Sequence, residues 1–246
     1  MTFETTSFLR TPSGVRIAIR HPRVELQEVI IIAPGFFQSK ETKTFRNMEK
    51  DFLDAFDVIS MDFRGNGKSG GGYTFSALEC EDLSVVVDYA RSHYGRVGVI
   101  GFSLGGAIAI ITQAKEKKID SLVAVSAPMA LGEAELRWWR PESFRLFLRG
   151  CERGAGVRPG NPFLPKPRAI DSVGKVSPSP ILFIHGTRDP TVDARHSRAL
   201  FEAARDPKEI RIIEGASHAQ DIYRTHRGVF LEVVLGWFQK TLSAGG

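Results

Sequence analysis

Cysteine is nearly missing from this chain of 246 residues: Cys80 and Cys151 are the only two, too few for a disulfide framework and without metal-type spacing. Both read as free, buried thiols. The six histidines are scattered, with no H-E-x-x-H or comparable cluster, so the common zinc arrangements are excluded and neither a metal nor a cofactor is expected. Long apolar runs are missing too. No stretch reaches roughly 18 apolar residues without a charge, as a membrane-spanning helix requires, and residues 1–10 lack the basic-then-apolar order of a signal peptide. The reading is a cytoplasmic protein with no stable membrane insertion. Positive charge is not a global property either: the net charge is +5, and residues 129–175 alone hold nine Lys and Arg against five Asp and Glu. A nucleic-acid surface would be spread more widely, so nucleic acid is not an expected partner. The local patch reads as a solvated face, with an anionic substrate or membrane surface as the sharper alternative.

What the chain has is enough apolar material, 42% of its residues, to bury one large core. Residues 5–9 and 15–20 flank Thr11-Pro12-Ser13-Gly14, which predicts an antiparallel hairpin. Apolar runs at 28–33, 97–100, 121–126 and 180–185 read as buried strands, the first covered on both faces, and 58–62 and 209–213 read as further strands. Amphipathic stretches at 43–56, 75–94, 193–204 and 223–240, and the apolar run from Ala107, read as helices between or after them. Strand and helix alternate, which predicts an α/β fold with a mostly parallel, eight-stranded sheet flanked by helices. The rhythm stops between 128 and 179. There Trp138, Trp139, Phe144 and Phe147 bunch together before a proline- and glycine-rich tract, and the segment reads as a small helical lid within a single domain spanning 1–246. Its tryptophans either face a substrate pocket or fasten the lid down.

The densest signal is Gly101-Phe102-Ser103-Leu104-Gly105-Gly106. An apolar strand runs into it and an apolar helix leaves it, so Ser103 sits on a strand-to-helix turn with a glycine two places to either side. The helix start directs free N–H groups and partial positive charge at whatever is attached to that serine. A second G-x-S-x-G match, Gly67-Lys68-Ser69-Gly70-Gly71, lacks the following helix, because consecutive glycines disfavour one. The same tract satisfies G-x-G-x-x-G and contains Gly-Lys-Ser, but Asp62 stands where a phosphate-binding loop requires its first glycine, and no helix opens at the phosphates.

A serine hydroxyl needs an adjacent base, and the base needs an anchor that fixes its tautomer. Asp189 follows the strand ending near His185, and His218 follows the strand ending near Ile213. Three parallel strands would carry Ser103, Asp189 and His218 to one edge. His185 is better placed to buttress the acid loop, and Asp193, the runner-up for the acid, to cap the next helix. The backbone N–H groups of Phe36, just past the strand at 28–33, and of Leu104 are candidates for an oxyanion hole; a plain strand-ending turn is the alternative at Pro34-Gly35-Phe36-Phe37.

Taken together, APGF, DFRGNGKS, GFSLGG, HGTRDP and GASH, in this order and spacing, resemble the α/β-hydrolase superfamily over nearly the whole chain. They are most similar to its compact esterases and lipases related to serine aminopeptidases, including cinnamoyl-type esterases. The resemblance implies Ser103 as nucleophile, Asp189 as acid, His218 as base, and Phe36 and Leu104 as oxyanion donors. Phe37, Trp138 and Trp139 are then the expected substrate contacts. The implied activity is hydrolysis of small to medium acyl esters, the partner being a small-molecule ester, with no basis in the sequence for an oligomeric state. A thioesterase or peptidase of the same fold, and a catalytically silent binding scaffold, stay open beside it. One position departs from the pattern: the superfamily's oxyanion loop usually reads His-Gly, and this chain has Pro34-Gly35.

Overall fold

The computed structural model describes residues 6–131 and 156–242. Its strands are β1 (Thr6–Arg10), β2 (Arg16–Arg20), β3 (Glu28–Ala33), β4 (Asp57–Met61), β5 (Arg96–Phe102), β6 (Ser121–Val125), β7 (Ile181–Gly186) and β8 (Lys208–Ile213). They form one eight-stranded sheet in the order β1-β2-β4-β3-β5-β6-β7-β8. β1 pairs antiparallel with β2 and β2 with β4, and all the other neighbours run parallel. The helices are α1 (Lys43–Phe52), α2 (Glu79–Arg91), α3 (Leu104–Glu116), α4 (Arg195–Ala203), α5 (Gln220–Thr225) and α6 (Arg227–Leu242). Among the described residues none is long and apolar enough to cross a membrane.

The inner strands are apolar throughout because both faces are covered. Val29, Ile31, Val97 and Val99 pack with α2, α3 and Leu200 of α4 on one side. Ile30, Ile32, Ile100 and Phe102 pack with Phe45 and Phe52 of α1 and Phe230 and Phe238 of α6 on the other. Burying one such side chain is worth about 1.5–3 kcal/mol. The strand order also fixes where a ligand can go. From β3 the chain steps to β4 on one side, then returns across β3 to β5 on the other. The helices after β3 and β5, α1 and α3, therefore cover opposite faces and leave a crevice beyond the carboxyl ends of those two strands.

Several boundaries differ from the sequence expectation, each for a local reason. The helix expected from residue 75 begins at Glu79, because Phe75 and Ser76 have φ of 57° and 78°. The turn before it is closed by Thr74, whose hydroxyl accepts Leu78 N–H while Glu79 accepts Thr74 N–H. The closing helix expected over 223–240 is two helices, α5 and α6, parted at His226 (φ −130°). The stretch at 43–56 is helical to Phe52 and ends in turns. The aromatic part of the 128–179 segment, with Trp138 and Trp139, lies outside the described residues, as does Cys151. The described part runs past residues 65–73, Arg158 N–H donating to Gly65 O and Arg158 O accepting Tyr73 N–H. Cys80 is half-buried, and burial pushes its thiol up to about 11, so it is not a ready nucleophile.

At the opposite end of the sheet from the crevice, His21 is threaded into a polar chain. Arg23 donates to Tyr89 Oη, Tyr89 and Tyr94 hydroxyls engage His21 Nδ1 and Nε2 at 3.1 and 2.6 Å, and Tyr94 donates to Asp57 at 2.6 Å. Since the Tyr94 proton goes to Asp57, His21 Nε2–H donates to Tyr94 and Nδ1 accepts from Tyr89: a neutral ring. Burial, helped by Arg23, lowers the His21 pKa from 6.5 to about 4. The folded value lies below the unfolded one, so this contribution to stability is complete above pH 6.5 and is lost as pH falls towards 4. His21→Gln is expected to show a smaller drop in Tm between pH 7 and pH 4.5 than the wild type; an equal drop in thermal melts contradicts the assignment.

Candidate active site

Ser103 terminates β5 and begins α3 with φ 50° and ψ −119°, a backbone region that non-glycine residues seldom adopt. The surroundings hold it there. Ser103 N–H donates to Val125 of β6, and Gly106 N–H donates back to Ser103 O. The flanking glycines are required by space: a side chain on Gly105 would overlap the carbonyl oxygens of Ala33 and Pro34, and one on Gly101 would meet the backbone of Gly105 and Gly106. The elbow is thus clamped between its own helix and the end of β3.

The residues after β7 and β8 arrive at the same edge. Asp189 Oδ1 accepts the N–H groups of Thr191 and Val192, both at 2.9 Å, which leaves Oδ2 facing outward to the histidine. His218 Nδ1 lies 2.7 Å from Asp189 Oδ2, and its Nε2 lies 3.0 Å from Ser103 Oγ. The carboxylate is 1% exposed and the imidazole 12%. Burial alone would raise the Asp189 carboxyl, but the charge of His218 and the hydrogen bonds from His185 and His218 outweigh it. They hold the group well below the usual carboxylate range. An ionised Asp189 accepts the hydrogen bond of His218 Nδ1–H, which keeps the proton on Nδ1 and leaves Nε2 as an acceptor for the serine hydroxyl.

Residues to which the sequence assigned no site role build the histidine's seat. Ser126, at φ 49° just past β6, accepts Ala219 N–H at 3.1 Å and donates its own N–H to Ile184. Gly186 gives Ala216 and Ser217 room to cross the end of β7, and Arg188 N–H donates to Ala216 O. Ser126 carried a signal that was readable: it is the polar residue ending a parallel strand at the same edge as Ser103. His185 stands behind the acid, with Nδ1 2.7 Å from Ser197 Oγ and Nε2 2.9 Å from Val192 O and 3.2 Å from Asp189 Oδ2.

Phe36 and Leu104 meet at this edge. A side chain on Gly35 would sit 3.3 Å from Ser103 Cβ, so the turn after β3 abuts the elbow. Neither Phe36 N–H nor Leu104 N–H, the first of α3, has an acceptor among the described residues. The Phe37 ring rests edge-on against Phe36 with 4.1 Å between centroids, and Phe36 also touches Tyr73 and Phe75. By contrast, Ser69 of the second G-x-S-x-G match is buried, donating to Asp62 O and accepting Ala18 N–H. The tract around it wraps the Asp62 carboxylate, which accepts from Lys68 N–H, Lys40 N–H and Lys40 Nζ. It is a structural loop around a buried ion pair.

This strand order, with a serine elbow at the crossover and an acid and histidine after the last two strands, defines a class. A family model described as alpha/beta hydrolase fold matches residues 28–158, and the chain belongs to that family. It is 28% identical over 200 residues to an uncharacterized protein, YqkD, of Bacillus subtilis, an alignment covering 74% of this chain and 62% of that one. It is also 28% identical over 166 residues to human alpha/beta hydrolase domain-containing protein 17B, covering 66% and 50%. The chain thus spans about 62% and 50% of the length of these curated relatives. Among solved structures, the esterase Pf2001 of Pyrococcus furiosus superimposes with a TM-score of 0.80 at 21% identity, over 97% of this chain and 93% of that one. The esterase RhEst1 of Rhodococcus sp. does so with 0.73 at 15%, over 96% and 99%. At these identities the likeness is one of fold.

The clamp around Ser103 predicts a cost for filling it. Gly105→Ala must push the end of β3 away from the elbow and is expected to destabilise the protein by about 1–3 kcal/mol. That is a fall of roughly 2–4 °C in Tm per kcal/mol for a chain of this size. An unchanged melting temperature contradicts the packing described.

Proposed function

We propose that the chain is a serine hydrolase that cleaves carboxylic esters of small to medium acyl chains. The single observation that supports this most is the continuous set of hydrogen bonds from Asp189 through His218 to Ser103, at 2.7 and 3.0 Å. In this reading His218 Nε2 takes the hydroxyl proton as Ser103 Oγ attacks the ester carbonyl, and the backbone N–H groups of Phe36 and Leu104 receive the oxyanion. The C–O bond to the alcohol breaks as His218 returns the proton to the leaving oxygen. Water, deprotonated by the same imidazole, then hydrolyses the acyl-enzyme. Asp189 stays ionised throughout, stabilising the imidazolium without accepting its proton.

The rest of the proposal follows from that chemistry. The substrate is a small ester free in the cytoplasm, and no metal or cofactor takes part. The protein is one domain in which residues 128–179 form a lid, with Phe37, Trp138 and Trp139 on the acyl side. A silent scaffold is the weaker reading, because the three groups are present and within bonding reach. The test is turnover of p-nitrophenyl esters of graded chain length beside acyl-CoA and aminoacyl substrates. Ser103→Ala is expected to lower kcat on p-nitrophenyl acetate or butyrate by roughly 10⁴-fold or more. Retained ester turnover in that variant, or preference for thioesters or peptides over esters in the wild type, overturns the proposal.

A further inference from the structure

The turn that carries Phe36 has little to hold it from its own N-terminal side. Pro34 has no N–H and no side-chain hydrogen-bonding group. The bracing comes from the other end. Gln38, 7% exposed, accepts Gly35 N–H on its Oε1 at 2.8 Å and donates its own backbone N–H to Gly35 O at 3.3 Å. Both backbone groups of Gly35 are therefore held by one residue. Between them Phe37 has φ 61° at the third position of the turn, where glycine is usual, and a bulky side chain in that region persists only where its surroundings impose it. Past Gln38 the chain is pinned again, by Lys40 N–H and Nζ on the buried Asp62 at 2.7 and 2.6 Å.

We propose that Gln38 is a positioning residue for the oxyanion hole: its side-chain Oε1 takes Gly35 N–H and fixes the Pro34–Gly35 peptide, its backbone N–H holds Gly35 O and with it the Gly35–Phe36 peptide, and with both fixed Phe36 N–H faces the oxygen bound at Ser103. The proposal rests on the serine-hydrolase reading above and adds a side chain that touches neither substrate nor the Ser103, His218 and Asp189 side chains. The Gln38 side chain acts only through the Pro34–Gly35 peptide, which sets the orientation of Gly35 and so of the peptide that follows it. Its effect therefore falls on the state in which the carbonyl oxygen carries charge, and not on the neutral ester before attack.

The test uses Gln38→Leu, close in size but without an acceptor, and Gln38→Met as a second acceptor-free variant should leucine impair folding. Two quantities are read on each: kcat and KM for p-nitrophenyl butyrate, and Ki for an alkyl trifluoromethyl ketone. With that ketone Ser103 Oγ adds to the carbonyl carbon, the hydroxyl proton passes to His218, and the former carbonyl oxygen becomes the anion in the hole. Removal of a hole donor costs about 10²-fold to 10³-fold, so its misalignment is expected to lower kcat by roughly 10-fold to 10²-fold. KM should stay within about twofold, and Ki should rise by the factor by which kcat/KM falls. Unchanged kcat in both variants overturns the role of Gln38, as does a lower kcat with unchanged Ki, which is general loosening. A wild-type chain that neither turns over the ester nor binds the ketone overturns the serine-hydrolase reading itself.

Discussion

The arrangement depends on one steric constraint: backbone must pass against backbone where β5 turns into α3. Ser103 adopts its left-handed φ because no side chain stands between the end of β3 and the start of the helix. That absence makes the reversal sharp enough to put the serine hydroxyl outside the packed core while its own N–H is still held by β6. The same contact brings the turn at Gly35 beside the elbow. The position of Ser103 and of the candidate oxyanion donors thus follows from a single close approach, and the two cannot be adjusted independently.

Around that fixed point the histidine and acid are seated by separate strands. Asp189 is locked by two backbone N–H groups after β7, and the His218 loop is drawn across Gly186 and onto Ser126. The two seats share Gly186, whose carbonyl accepts Asp189 N–H where the 216–217 segment crosses it. A buried carboxylate with no compensating donors would be protonated or would pull the histidine inward. Here the two N–H groups and the imidazole stabilise its charge, so the histidine is left aligned with the serine. The strand order supplies the remaining condition, because it reverses between β3 and β5, where Ser103 lies.

Much of this was legible in the residues. Apolar runs such as 28–33 and 181–184 gave strands because burial on both faces removes the need for alternation. The elbow was legible because strand, glycines and helix coincide at Ser103 and fail to coincide at Ser69. Asp189 and His218 were reachable from position alone, each just past a strand. What escaped depends on tertiary neighbours. The break at His226 and the late start of α2 lie within stretches whose periodicity continues through them. Ser126 stands out only as the polar residue that ends a strand, and Gln38 not at all, until the fold shows which backbone N–H each accepts. The Ser126 bond joins segments far apart in the chain and the Gln38 bond closes a four-residue turn, and neither leaves a periodic pattern.

The central claim is that Ser103 is a base-activated nucleophile, and the most direct measurement is site mapping of a fluorophosphonate adduct on the intact, folded chain. The account predicts one adduct, on the peptide containing Ser103 and not on that containing Ser69, with labelling suppressed in His218→Ala. A folded protein that takes no label, or takes it on another serine, contradicts it.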